Sequence, residues 1–227
     1  MRLLVIIPAY NEQDCIVDTI MELKQHAPQF DYVVVNDGSK DNTKELCVRH
    51  NFNLLDLPVN IGLTGGFQAG MKYALRNNYD AAIQFDADGQ HIPSYIQKLA
   101  IKMEQDDADI VIGSRFVTER KPKSLRMLGS SLISFVMKAT TGVALSDPTS
   151  GMRLYNRKMI KCFSAKPDFG PEPDSLAYLM RKGARVAEVQ VEMRDRQAGE
   201  SYLTLSRSID YMMRTFVSIL FVQWFRR

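Results

Sequence analysis

Two carboxylates separated by one small residue, Asp86-Ala87-Asp88, stand directly after a short apolar run, Ala81-Ala82-Ile83-Gln84-Phe85. The run reads as a buried strand, and Gly89, Gln90 and His91 end it in a loop. Side chains at i and i+2 of a strand point the same way, so both acids lean to one side of the strand end. Such a pair repels itself unless a cation is close. Hard carboxylate oxygens suit Mg²⁺ or Mn²⁺, an ion that can in turn hold a diphosphate. The plain alternative for an isolated pair is a solvated acidic turn.

The neighbouring loops weigh against that alternative. Pro8-Ala9-Tyr10-Asn11-Glu12 follows the first expected strand, and Asn36-Asp37-Gly38-Ser39-Lys40-Asp41 follows the second. Asn60-Ile61-Gly62-Leu63-Thr64-Gly65-Gly66 follows the third, and Gly113-Ser114-Arg115 the fifth. Asp37 can accept a hydrogen bond from a base or ribose. Gly62, Gly65 and Gly66 allow backbone to approach a ligand before a helix N-terminus. Taken singly, each loop also reads as a capped turn. The spacing matches neither a dinucleotide fingerprint nor a phosphate-binding P-loop.

Apolar periodicity supplies the elements that must hold these loops. Strands are expected at Leu3–Ile7, Tyr32–Val35, Asn53–Leu57, Ala81–Phe85, Asp109–Gly113, Met152–Tyr155 and Arg185–Val191. Helices are expected at Glu12–Gln25, Lys40–His50 (capped by Ser39 or Asp41), Thr64–Asn77, Pro93–Gln105, Ser124–Thr140, about Asp174–Lys182 and Leu205–Trp224, with a helix start near Lys158. β-branched runs alternating with amphipathic helices predict an α/β protein with a mostly parallel sheet covered on both faces. Open sheets of that kind bind ligands beyond the carboxyl ends of their strands, where these loops gather.

The 227 residues suffice for one large core or a domain with a small appendage. A net charge of +3 is too small to imply nucleic acid. Cations concentrate at Arg115, Arg120, Lys121, Lys123 and Arg126, opposed only by Glu119. Cys15, Cys47 and Cys162 are far apart and odd in number, which fits a reducing cytoplasm and excludes a zinc-binding cysteine pattern or disulfide framework. No run resembles a secretory leader or reaches the roughly 20 apolar residues of a membrane span.

Together these segments resemble the family 2 glycosyltransferases of the GT-A fold. The matching words are Ile7–Glu12, Val35–Ser39, Asn60–Gly62, Asp86–His91, Gly113–Arg115, Asp147-Pro148-Thr149-Ser150-Gly151-Met152-Arg153 and Arg196-Gln197-Ala198-Gly199-Glu200-Ser201, in the family's order. The last two look most like dolichol-phosphate mannose synthases and undecaprenyl-phosphate sugar transferases. The resemblance implies a Rossmann-like GT-A domain over 1–203. Pro8, Ala9, Tyr10, Glu12 and Asp37 would line the base and ribose, and Asp86 and Asp88 would meet ribose, Mg²⁺ or Mn²⁺, and diphosphate. Asp147 would lie near sugar and acceptor, and Arg115 and Arg196 would face phosphates. Glu172 and Asp174, the latter otherwise a helix-capping acid, are alternative bases, although their flanking prolines depart from the family pattern.

The implied reaction is an inverting transfer of a hexose or N-acetylhexosamine from a nucleotide-diphosphate sugar, a UDP-sugar by preference, to a polyprenyl phosphate for cell-envelope glycans. Alternatives are a sugar-to-sugar transferase building surface polysaccharide, a non-catalytic GT-A-like subunit, and a nucleotidyltransferase. The last would need a Gly-rich, Arg- or Lys-bearing loop after the first strand, which Pro8–Glu12 is not. Ile209, Met212, Met213, Phe216, Val217, Leu220, Phe221 and Trp224 make 204–227 an amphipathic helix. It is expected to lie on an anionic membrane surface, on the protein's own core, or on an oligomer or membrane-protein partner. The expected location is peripheral, on the inner face of the cell membrane.

Overall fold

A computed structural model describes residues 1–122, 125–166, 169–195 and 205–222. Strands β1 (Leu3–Ala9), β2 (Asp31–Asn36), β3 (Leu54–Asp56), β4 (Ala81–Gln84), β5 (Ile110–Ser114), β6 (Arg153–Asn156) and β7 (Val186–Gln190) form one sheet in the order β3-β2-β1-β4-β6-β5-β7. All pairings are parallel except those of β6, which runs antiparallel to both β4 and β5. Helices α1 (Ile16–His26), α2 (Thr43–Arg49) and α4 (Tyr95–Gln105) cover one face. Helices α3 (Gly62–Arg76), α5 (Leu125–Thr141), α6 (Arg157–Ala165) and α7 (Pro173–Arg181) cover the other.

The alternation of β1 shows why the chain folds this way. Leu4 and Ile6 enter one hydrophobic cluster, and Leu3, Val5 and Ile7 enter the other. A strand apolar on both sides must be central and covered twice. The cluster beneath α3 contains Phe67, Tyr155 and Phe163 in mutual edge contact, with centroids 5.1 to 5.5 Å apart. Helix α3 reaches the sheet so closely that a β-carbon at Gly70 would collide with Ile6. Gly70→Ala is therefore expected to destabilise the fold by about 1–3 kcal/mol through overpacking, measurable as a lowered denaturant midpoint.

Several helix starts lie later than periodicity predicts. Helix α1 begins at Ile16, not Glu12, because residues 11–13 are bonded sideways to the β2–α2 loop. Asn11 N–H donates to Ser39 Oγ (3.0 Å), Glu12 N–H to Thr43 Oγ1 (2.8 Å) and Gln13 N–H to Asp41 Oδ2 (3.1 Å). Helix α2 shortens to Thr43–Arg49 for the same reason, and Asp41 accepts from the Thr43 N–H at 3.0 Å. The helix start expected near Lys158 is a full helix, α6, opened by Asn156, whose side chain accepts from Met159 N–H.

Helix α8 (Leu205–Val217) continues into a π-helical turn, Ser218–Val222, and packs against α5 and α7. Ile219 is fully buried there. Trp224, Arg226 and Arg227 lie outside the described residues. Among the described residues no helix is long and apolar enough to cross a membrane.

Candidate active site

The strand order sets the site. Strand β4 stands between β1 and β6, so the Asp86–His91 loop opens between the β1, β2 and β3 loops on one side and the β5 and β6 segments on the other. These loops line one cavity of about 620 Å³. Pro8, Ala9, Tyr10, Glu12, Asp37 and Gly62 line it on the β1–β3 side, Asp86 and Asp88 in the middle, and Arg115 and Glu172 on the far side. Asp147 and Asp174 are not among its lining residues. Arg196, with the segment Arg196–Ser201, lies outside the described residues.

Asp37 is nearly inaccessible and ties two loops together. Its Oδ1 accepts from the Ile61 N–H (2.8 Å) and its Oδ2 from Asn60 Nδ2 (3.0 Å). The carboxylate is thereby fixed in place before the first turn of α3.

Asp86 accepts from Gln84 Nε2 at 3.1 Å, and its own N–H donates to His91 Nδ1 at 2.9 Å. The ring proton of a neutral His91 then belongs on Nε2, which faces Asp86 Oδ2 at 3.6 Å. Asp88 accepts the Gln90 N–H at 3.1 Å through Oδ1. Gly151 lets the Asp147–Arg153 loop close over this pair, since a β-carbon there would stand 2.8 Å from Asp86 Oδ2. Among the described residues no three His, Cys, Asp or Glu side chains gather as a metal cage. Asp86 and Asp88 offer two carboxylates, a hard all-oxygen set whose chemistry suits Mg²⁺ or Mn²⁺ when phosphate oxygens and water complete it.

On the far side Arg115 grips Asp147 as a fork, with Nε to Oδ2 at 2.7 Å and Nη2 to Oδ1 at 3.0 Å. Asp147 is fully buried, while Arg115 keeps part of its side chain exposed at the cavity. Glu188 of β7 holds the loop from behind, accepting from Ser146 and Asp147 N–H groups at 2.8 and 3.0 Å. Beside this pair the Lys121 ammonium donates to Ser130 and Ser134 hydroxyls of α5 at 3.2 and 3.3 Å. Burial draws its pKa down, and the Arg115 charge adds to this against the opposing pull of Asp147.

Three groups that the sequence did not single out as site residues complete the wall. Arg153 is almost wholly buried and donates to the carbonyls of Ser150, Pro171 and Pro148 at 2.8, 2.8 and 2.6 Å. It fastens the 147–153 loop to the start of α7 and so sets where Glu172 stands. Tyr211 of α8 donates to Glu172 Oε2 at 2.6 Å, while Ser218 donates to Asp174 Oδ2 at 2.6 Å. Burial, then the charge and hydrogen bond of Glu172, push the Tyr211 phenol far up, so it stays a donor throughout the neutral range. Gln84 is the third, its Oε1 buried without a hydrogen-bond partner among the described residues. Gln84 at the end of an apolar strand and Arg153 at the start of the next buried one were the available signals; nothing local to Tyr211 announces its partner.

The family model for glycosyl transferase family 2 matches residues 4–163. The chain belongs to that family. Among its family 2 relatives, the undecaprenyl-phosphate mannosyltransferase of Micrococcus luteus is 31% identical over 90% of this chain and 88% of that one. The UDP-N-acetylglucosamine–dolichyl-phosphate N-acetylglucosaminyltransferase of Methanococcus voltae is 32% identical over 70% of this chain and 71% of its own. The fold is GT-A: glucosyl-3-phosphoglycerate synthase of Mycobacterium tuberculosis, solved with Mn²⁺, UDP and phosphoglyceric acid, superposes with a TM-score of 0.69. That likeness covers 96% of this chain and 77% of that one at 16% identity. The protein is a glycosyltransferase.

Proposed function

We propose that this glycosyltransferase moves a hexose or N-acetylhexosamine from a UDP-sugar to a polyprenyl phosphate, with inversion, at the inner face of the cell membrane. The sheet and its covering helices form the transferase domain, and helix α8 (Leu205–Val217) serves it. The observation that carries this reading is that the Asp86/Asp88 pair lines one cavity between the Pro8–Glu12, Asp37 and Gly62 loops and the Arg115 guanidinium. The names of the two relatives support a lipid phosphate acceptor.

Pro8, Ala9, Tyr10 and Glu12 receive the base, Asp37 accepts from base or ribose, and the backbone at Gly62 approaches the nucleotide. Asp86 and Asp88 would hold Mg²⁺ or Mn²⁺, which would supply Lewis-acid stabilisation of a departing diphosphate. Arg115, kept in orientation by Asp147, faces the acceptor phosphate, and Arg196 is assigned to the same task by its motif. An oxygen of that phosphate forms the new bond at the anomeric carbon from the side opposite the breaking bond to diphosphate. The acceptor is largely ionised near neutral pH, because its second pKa is about 6. It therefore needs positioning cations and no base.

The position of Glu172, lining the cavity under the Tyr211 hydroxyl, favours a second reading, in which it deprotonates a sugar hydroxyl. Asp174, bonded to Ser218 and not lining the cavity, is the less favoured candidate of the two. Glu172→Gln separates the readings. Transfer to polyprenyl phosphate should stay within about tenfold of wild type, whereas loss of a general base costs ~10²–10⁴-fold. The wider test is a panel of nucleotide sugars incubated with polyprenyl phosphate and Mn²⁺ or Mg²⁺. Radiolabelled sugar recovered on lipid is expected; product only on a glycan acceptor would overturn the lipid reading.

A further inference from the structure

Glu172 is an acid that its own helix does not use. It stands at the N-cap of α7 with extended backbone, yet its side chain makes no capping bond. A polar side chain at that position ordinarily turns back to the first N–H groups of the helix. The Glu172 side chain lines the cavity instead. Three restraints from separate parts of the fold fix it there. Pro171 and Pro173 narrow the backbone freedom on either side. Arg153 of β6 donates to the Pro171 carbonyl at 2.8 Å. Tyr211 of α8, which lines the same cavity, donates to Oε2 at 2.6 Å. Oε2 is thereby occupied, while Oε1 makes no hydrogen bond among the described residues. Both Glu172 and Tyr211 lie beyond the residues that the family model matches.

Charge and position select what Oε1 meets. Arg153 is the register partner of Gln84, and Gln84 donates to Asp86 Oδ1 at 3.1 Å. Glu172 is thus anchored to the strand pair that carries the acidic pair, across Asp86 and Asp88 from the β1–β3 loops. A carboxylate there repels the phosphates of a nucleotide diphosphate and of a lipid phosphate alike. What it attracts is an uncharged group rich in hydroxyl donors, which in a nucleotide sugar at this end of the cavity is the sugar. A side chain held in place before the ligand arrives loses little freedom on bonding, so its contact can discriminate.

We propose that Glu172 Oε1 accepts a hydroxyl of the donor's sugar and so selects that sugar, with Tyr211 as its positioning residue. The inference deepens the proposed function and rests on its nucleotide-sugar donor. The hydroxyl keeps its proton, which separates this role from that of a base.

The test is calorimetric titration of the full chain in Mn²⁺, without acceptor. UDP is compared with UDP-glucose and UDP-N-acetylglucosamine, and GDP with GDP-mannose. Glu172→Ala should weaken the tightest-binding sugar nucleotide at least about tenfold, the loss of a charge-assisted hydrogen bond. Its sugar-free nucleotide should change by less than about twofold. Tyr211→Phe keeps the acid and the ring and loosens only the carboxylate. It should raise the KM for that donor roughly three- to tenfold and leave kcat within about twofold. Should Glu172→Ala fail to fold, Tyr211→Phe reads the same contact. Equal weakening of nucleotide and sugar nucleotide would overturn the proposal, since Glu172 would then be a structural counterion of buried Arg153. Unchanged binding with lost turnover would also overturn it, in favour of a base. Selective loss of sugar-nucleotide affinity, with sugar recovered on a glycan and never on lipid, would strike the proposed acceptor and leave the role of Glu172 standing.

Discussion

Asp88→Asn is expected to lower sugar transfer by ~10²–10³-fold, the usual loss when one group stabilising a developing charge is removed. The fold should survive. Asp88 is almost wholly buried, and its Oδ1 accepts the Gln90 N–H at 3.1 Å. Asparagine keeps that oxygen and the side chain's shape, so the loop geometry persists. What disappears is a negative charge two positions from Asp86, and its loss relieves repulsion between the two carboxylates. The measurement is initial rate across a Mn²⁺ titration, beside a thermal melt. A rate equal to wild type at every metal concentration would remove the metal role assigned to this residue.

Arg115→Ala is expected to cost about 3–5 kcal/mol, because it strands a buried carboxylate. Asp147 has no exposed surface; the Thr149 hydroxyl donates to it at 3.1 Å, and its charge is met by the two-pronged contact at 2.7 and 3.0 Å. Arg115→Lys should recover only part of the loss, since an ammonium cannot reproduce the planar fork. Replacing both partners, Arg115→Met with Asp147→Asn, should restore most of the stability and none of the transfer activity. Urea unfolding midpoints read the first effect and transfer rates the second. If Arg115→Ala unfolds at the wild-type midpoint, the pair contributes no stability, and Asp147 must reach water by a route its burial does not show.

The elements were legible where periodicity is strong. Leu3–Ile7, Ala81–Phe85 and the stripe Ile16, Ile20, Leu23 carry their class in their spacing, since a doubly covered strand and a one-sided helix need different repeats. Helix starts were less legible because polar residues such as Glu12 and Asp41 serve a helix or a neighbouring loop equally well locally. Asn156 was a readable cap that ordinary turn chemistry masked. The polar loops were readable as a group, because parallel strands deliver every following loop to one edge.

The sequence by itself determined the α/β class, the mostly parallel sheet, the family words and the acidic pair. These depend on residue type and short-range spacing, which the chain carries locally. Only the tertiary structure decided that β4 lies between β1 and β6, setting Asp86 and Asp88 midway along the cavity. It also decided that Arg115 spends its fork on a buried Asp147, and that Tyr211 and Ser218 of α8 hold Glu172 and Asp174. Those contacts join residues dozens of positions apart. Which partners meet depends on how whole helices pack across the sheet, and no local pattern encodes that choice.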